Sequence, residues 1–429
     1  MRNNTVNIIG AGLAGSEAAL YLAERGVKVN LYEAKPLWFS PAHSKPEFAE
    51  IVCSNSLKST VPTTASGTLK NELDILGCNL LDIARKVSVP AGSALAVDRD
   101  GFSALVTDAV RNQPNITVID KIVTEIDADE LTIVCAGPVC HDGLAQALSK
   151  ITGEQSLHFF DAAAPIITAE CIDYSRAFFG ARYGKSDADY LNCPMTKDEY
   201  LEFYNALITA ERAVDKVGGV FEGCMPVEIM AARGEDALRF GPLRPVGFRD
   251  AGKPYAVLQL RRENVECTLF NLVGFQTNLK FGEQKRVFSL VPALKNIEIV
   301  RYGVMHRNTF VNAPRALNID LRLKSAQNVF VAGQLCGVEG YVESIATGLL
   351  AAVNALRLLG SKDTVVPPEH TVLGALMKYI TTPNADFQPM NANFGILPMI
   401  DGVKKAERKQ AYYDKSDSSM REWIKNIDL

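Results

Sequence analysis

Apolar residues early in the chain fall in short runs that end at glycines, as expected of strands in a parallel sheet covered on both faces. Val6 to Ile9 is one such run. Ser16 to Arg25 then carries apolar positions at helical spacing, and Val27 to Tyr32 reads as a second strand, so this stretch predicts a strand–helix–strand unit. Leu131 to Val134 predicts a further strand that enters Ala136-Gly137-Pro138. Asn328 to Ala332 predicts another, opening into Gly333 and followed by a small-residue-rich helix over Gly340 to Leu359.

Strands of this kind at both ends of the chain, with a long middle between them, predict an α/β fold with a Rossmann-type domain that is discontinuous in sequence. The expected division is residues 1–150 with 300–360, an inserted α+β domain over 151–299, and a C-terminal extension over 361–429 packed on the first domain. The insertion has its own pattern: Asp189 to Met195, a helix over Lys197 to Arg212, and β-rich stretches at Ala256 to Leu260 and Thr268 to Val273. No internal repeat is visible, and the chain ends in a charged helix.

Composition narrows the class. With 429 residues, 47% hydrophobic and 22% charged, the chain has enough material for two or three domains and a large core without disulfides or metals. A net charge of −4 argues against a protein that coats nucleic acid by charge alone, while leaving room for a local basic patch. The start passes directly into a strand and a glycine turn, which is unlike a secretory signal, and no apolar run is read as a membrane span, so a cytoplasmic protein is expected. The nine cysteines are scattered, with no zinc-like spacing and no metal site expected.

Candidate chemistry begins at Gly10-Ala11-Gly12-Leu13-Ala14-Gly15, which fits GxGxxG with a strand before it, a helix after it and Glu33 at the end of the second strand. Gly10 permits a tight turn, Gly12 lets the backbone approach a pyrophosphate, and Gly15 lets helix and strand pack closely. The helix N-terminus faces the phosphates, and Glu33 is placed to accept ribose hydroxyls. The second glycine segment, Ala332-Gly333-Gln334 followed by Gly337 to Tyr341, favours FAD over NAD, because a late helix N-terminus returning to the cofactor supports negative charge on a reduced flavin. A Rossmann-type FAD-binding domain is therefore expected, with Gly333, Gln334 and Tyr341 among its contacts.

Two cysteines stand in segments that suit a nucleophile. Cys53 follows a short apolar run and precedes small polar residues that suit a helix cap, a position that would favour its thiolate; Cys224 lies between Gly223 and the Met225-Pro226 turn. Basic residues gather in and after the insertion (Arg233, Arg239, Arg244, Arg261, Arg262, Lys285, Arg286, Arg301 and Arg307), interleaved with Tyr255, Phe275, Tyr302 and His306. They form either a surface for phosphates and stacked bases or ordinary solvated charge.

The segments GAGLAGSEAA, FAEIVCSNSLKS, VPAGSALAVDRDGFS, YLNCPM, FEGCMPVEIMAARG, FGPLRPVGF, VGFQTNLKFGEQKRVF, VRYGVMHRNTF, GVEGYVES and FQPMNANFG occur in this order over nearly the whole chain. In them the sequence resembles the bacterial folate- and FAD-dependent tRNA (uracil-5-)-methyltransferases, the TrmFO family. The resemblance implies methylation of the T-loop uridine of tRNA, with 5,10-methylenetetrahydrofolate as carbon donor, FAD as carrier and reductant, and NADH or NADPH reducing the flavin. It also implies that Cys224 adds to C6 of the uracil, while Cys53 lies near the flavin as general base or partner of the methylene adduct; the two roles are exchangeable. Around His43 the sequence departs from the family pattern, which puts a folate role for that residue in question. No obligate protein partner is expected.

Three alternatives use the same residues. The chemistry could serve ribosomal RNA; a flavin oxidoreductase without an RNA substrate would not need Cys224; and the larger flavoprotein that makes carboxymethylaminomethyl uridine with a GTPase partner would carry a helical C-terminal region absent from this pattern.

Overall fold

The computed structural model of the protein describes residues 4–184, 189–213, 225–248, 252–385 and 387–427. Its centre is a parallel sheet in the order Val329–Val331, Thr132–Val134, Thr5–Ile9, Lys28–Glu33, Ile116–Asp120. The first strand in sequence is the middle strand in space, so the turn after Ile9 opens at the point where the strand order reverses, the usual place for a dinucleotide.

Helix Leu13–Glu24 lies against this sheet with every residue from Ala14 to Ala23 buried. Helix Tyr341–Leu359 covers it so closely that a Cβ on Gly348 would overlap the Ala14 backbone, which explains the small residues in that segment. Contrary to the sequence reading, this helix is long and apolar enough to cross a membrane. All residues from Val342 to Ala355 are buried inside the protein, so its apolarity belongs to the core.

Two antiparallel strands, Leu157–Ala162 and Met305–Phe310, carry the chain out of this layer and back. Between them stands a six-stranded antiparallel sheet in the order Phe178–Gly180, Tyr190–Met195, Ala256–Arg262, Leu269–Leu272, Ile166–Thr168, Ile299–Arg301. Side chains alternate between its faces. One face presents Leu191, Cys193, Leu258, Leu260 and Leu272 to a second apolar core, shared with helices Lys197–Thr209 and Phe281–Phe288. The other face carries Asn192, Gln259, Arg261 and Asn271, which are polar although three of them are buried. It turns toward the nucleotide layer.

A small sheet of Ser56–Ser59, Ala94–Val97 and Ser88–Val89, and helices Ala65–Leu76, Asn79–Lys86 and Arg99–Arg111, complete the first layer; the periodicity reading did not single them out. The C-terminal helices Val372–Thr381 and Arg408–Ile427 dock on helix Ala65–Leu76 around Glu72. The Glu72 carboxylate accepts hydrogen bonds from Val372 N (2.6 Å), Leu373 N (2.9 Å) and the Ser416 hydroxyl (2.5 Å), so one buried side chain caps one helix and ties down another.

Burial pushes the Glu72 carboxyl up to about 7, with the three hydrogen bonds opposing. A raised carboxyl pKa makes the folded state hold a proton that the unfolded chain has lost, so the stabilisation is complete below the unfolded value and falls as pH rises through 7. In Glu72→Gln the slope of melting temperature against pH between about 4.5 and 7 becomes shallower than in the parent. Hydrogen exchange speeds up first in helices Val372–Thr381 and Arg408–Ile427. Identical slopes and unchanged exchange would contradict the assignment.

Candidate active site

The fingerprint turn is built by contacts that leave no room for side chains. Gly10 has φ +100°, and a Cβ there would lie 2.6 Å from Ala136 Cα; a Cβ on Gly15 would run into the Gly10 carbonyl. At Gly12 the nearest atom to such a Cβ is the Cys135 carbonyl oxygen at 3.9 Å, so the turn is open on the side where Gly10, Ala11, Gly12, Leu13 and Ala14 line a cavity of about 500 Å³. Glu33 lines the same cavity beside the turn. Its buried carboxylate accepts from Ala11 N (2.7 Å) and Lys35 N (3.0 Å), which fixes it at the strand end.

The second glycine segment meets the same cavity. Gly333 donates its N–H to Thr347 Oγ1 (2.9 Å), Gln334 Nε2 is bonded to the Glu339 carboxylate, and the helix beginning at Tyr341 points its N-terminus at this space. Tyr341 accepts a hydrogen bond from Cys53 N at its hydroxyl (2.8 Å), which brings Cys53 to the same cavity.

The Cys53 segment is held by arginines from both the first layer and the six-stranded sheet. Arg99 donates to the carbonyls of Ile51 and Cys53, and its Nε pairs with Glu263 at 2.5 Å. Arg301 donates to the Val52 carbonyl (2.6 Å), and Arg261 to Asn55 Oδ1 (2.8 Å) and Ser54 Oγ (2.7 Å). Sequence reasoning missed Arg99, whose only visible signal was its place just after the helix cap Asp98, within the quoted VDRDG segment.

Two sequence expectations are corrected here. Cys53 does not sit at the start of a helix: the chain continues into strand Ser56–Ser59, because Ser54 and Asn55 are engaged by Arg261. Burial, with the Asp161 carboxylate beside it and Arg99 opposing, pushes the thiol up to about 12, so the thiolate is disfavoured. Nor do the basic residues form one surface. Arg261 is buried, Arg301 is bonded to the Cys53 segment, Arg239 and Arg286 pair with Asp236 and Glu283, and Phe275 lies in the core.

Cys224 lies outside the described residues. The described chain resumes at Met225, and Val227 N donates to the carbonyl of Gln276 (2.7 Å), a residue of the cavity wall. His43 and His306 line the cavity as well. His43 Nδ1 is 2.6 Å from Ser40 Oγ, and burial and Lys35 push it down to about 4; His306 is also lowered by burial and Arg301, so both rings are neutral at physiological pH. Among the described residues no cluster suits a metal. His306 Nε2 and Asn271 Nδ2 are buried without a hydrogen-bond partner in the wall, as expected of a space built around a polar ligand.

These features define a Rossmann-type flavoprotein fold. The chain superposes on Aquifex aeolicus GidA (form II crystal) with a TM-score of 0.72 over 99% of this chain and 73% of that one, at 16% identity. A family model described as glucose inhibited division protein A matches residues 5–363. Over 427 residues the chain is 51% identical to the methylenetetrahydrofolate–tRNA-(uracil-5-)-methyltransferase TrmFO of Fusobacterium nucleatum subsp. nucleatum, covering 98% of each. It is 50% identical to the protein of the same name from Desulforamulus reducens, covering 99% of this chain and 98% of that one. The chain belongs to the GidA family and, within it, to the TrmFO proteins.

The Cys53 thiol gives a direct check. Alkylation at Cys53, followed on its own peptide by mass spectrometry, should rise about tenfold per pH unit and show no plateau below pH 10. A plateau near pH 8 would mean that the buried thiol is ionised far more easily than its surroundings imply.

Proposed function

We propose that this protein methylates carbon 5 of the T-loop uridine in tRNA, taking the carbon from 5,10-methylenetetrahydrofolate and reducing equivalents from NADH or NADPH by way of FAD. The observation that carries this reading is the convergence of the fingerprint turn, Glu33, the Gly333–Gln334 segment, Tyr341 and Cys53 on one cavity. The relatives named for this reaction, at about half identity over nearly their whole length, support it.

The residues present suit FAD: the open face of Gly12 and the helix N-terminus behind it would take the pyrophosphate, Glu33 the ribose hydroxyls, and the N-terminus at Tyr341 the flavin end. FAD, when bound, supplies the two-electron reduction that turns the transferred carbon into a methyl group. The remaining work falls to side chains. Uracil C5 is a poor nucleophile until a thiolate adds at C6, and the resemblance assigns that addition to Cys224. C5 then bonds to the new carbon and gives up its proton, the carbon's bond to the nitrogen that delivered it breaks, and the sulfur–C6 bond breaks as the thiolate leaves. Cys53 enters as a protonated thiol, so it serves as the base only after losing that proton. Arg99, seated on the Cys53 carbonyl, is the charge in place to favour the loss.

The test is methyl transfer into unmodified tRNA by the FAD-loaded enzyme with methylenetetrahydrofolate and NAD(P)H. 5-Methyluridine is expected with folate and not with S-adenosylmethionine, and Cys224→Ala should abolish it. Label appearing only in ribosomal RNA would move the substrate, and NAD(P)H oxidation that needs neither RNA nor Cys224 would replace the reading with a small-molecule oxidoreductase.

A further inference from the structure

The polar face of the inserted sheet does not stop at the cavity. Arg261, Asn271 and Val273 line the cavity, and Gln259, two residues before Arg261 on the same strand, faces the same way. Gln259 Nε2 donates to Asn192 Oδ1 (2.9 Å), Arg182 Nε donates to Gln259 Oε1 (3.0 Å), and Val273 N donates to the Gln259 carbonyl (3.0 Å), so hydrogen bonds link a residue of the cavity wall through Gln259 to the sheet edge.

At that edge two exposed loops are locked together. Arg182 donates to the carbonyls of Arg244 and Val246, and Tyr183 N donates to the Gly247 carbonyl (2.7 Å). Gly247 has φ +102°, and a Cβ there would press on the Tyr183 ring at 3.2 Å; Tyr183 itself is held at φ +62°, a costly conformation for a bulky residue. The Arg182 guanidinium lies 4.9 Å from the centre of the Phe248 ring, which stands edge-on to Phe178. Arg244 is exposed, and neither it nor Arg182 has an ion pair among the described residues. Burial, and then the charge of Arg244, lower the pKa of Arg182.

Two arginines without an ion pair among the described residues, beside an exposed tyrosine ring and a half-buried phenylalanine ring, are costly on a surface unless an anionic, stacking partner meets them. We propose that Arg182, Tyr183, Arg244 and Phe248 form a platform for the RNA substrate. The arginines take backbone phosphates, and the rings take an unstacked base beside the target uridine, which enters the cavity. An unpaired RNA loop has the required chemistry: regularly spaced phosphates with bases free to stack on aromatic and guanidinium planes. This rests on the reading of the protein as an RNA-modifying enzyme.

The experiment is equilibrium binding of unmodified tRNA to the FAD-loaded full-length protein across a salt series, with methylation kinetics alongside. Arg244→Gln removes a side chain that makes no hydrogen bond among the described residues, and Phe248→Leu keeps an apolar group against Phe178. The flavin absorbance spectrum reports that each variant is folded and loaded. Both variants should bind tRNA about fivefold to a hundredfold more weakly. Arg244→Gln should also flatten the plot of log affinity against log salt by about 0.7 for each lost phosphate contact. KM for tRNA should rise with kcat nearly held and KM for NAD(P)H unchanged. Unaltered tRNA affinity and salt slope in both variants would overturn the proposal, as would an effect confined to KM for NAD(P)H, which would assign the arginines to the phosphates of that nucleotide. Wild-type protein that binds tRNA through these residues without methylating it would uphold the platform and defeat the proposed reaction.

Discussion

The buried ion pair between Arg99 and Glu263 is the constraint on which the arrangement of the cavity depends. Arg99 begins a helix of the nucleotide layer, Glu263 follows the central strand of the inserted sheet, and the guanidinium spends its remaining donors on the carbonyls of Ile51 and Cys53. A pair this far from water is weak evidence for net stability, because desolvation offsets much of the attraction. Its contribution is positional: removing either partner strands a charge in the interior, which typically costs about 3–5 kcal/mol. The two layers can therefore separate only by unmaking the contacts that place Cys53. Asp98 reinforces the seam from the preceding residue, accepting from Gly101 N (2.8 Å) inside its own helix and from Val265 N (3.2 Å) across the boundary.

Buried carboxylates pin other elements as well. Glu17 accepts from the backbone N–H groups of Asn79 (3.0 Å) and Leu80 (2.8 Å) at the start of another helix, as Glu72 does for the helix at Val372. Glu228 accepts from Thr277 Oγ1 (2.9 Å) and Asn278 N (2.8 Å) within the insertion. Each carboxyl is raised by burial while its hydrogen bonds pull the other way. Orphan N–H groups at helix starts must find acceptors, and a buried glutamate from a neighbouring element satisfies them while fixing the angle between the two elements. This gives a layered protein with small residues at its closest contacts several polar pins to complement apolar packing.

What was legible in the sequence follows from how local each signal is. The fingerprint strand, helix and second strand were expected at Val6–Ile9, Ser16–Arg25 and Val27–Tyr32, and stand at Thr5–Ile9, Leu13–Glu24 and Lys28–Glu33. Their glycines and apolar runs act within a few residues of one another. The helix expected over Lys197 to Arg212 ends at Thr209, where Ala210 leaves helical geometry. The Cys53 loop was misread because its decisive partners come from far along the chain: small polar residues there resembled a helix cap, but Arg261 claims Ser54 and Asn55 from more than 200 residues away. The scattered arginines misled in the same way, since charge in a sequence carries no mark of which side chains will turn inward to hold a loop.

The division between inward and outward arginines also bears on how an acidic protein could engage RNA. With a net charge of −4, long-range attraction across the whole surface is not available. Cations must then be concentrated where they act, and the structure separates them by depth: Arg99, Arg261 and Arg301 are spent on the Cys53 loop, while Arg182 and Arg244, at the edge of the sheet, have no acidic partner among the described residues. Gln259 lies between the two groups and is bonded toward the outer one, so displacement of Arg182 would be felt on the strand that also carries Arg261. A single strand of the insertion thus ties a surface suited to phosphates to the positioning of Cys53, with no mobile element needed between them.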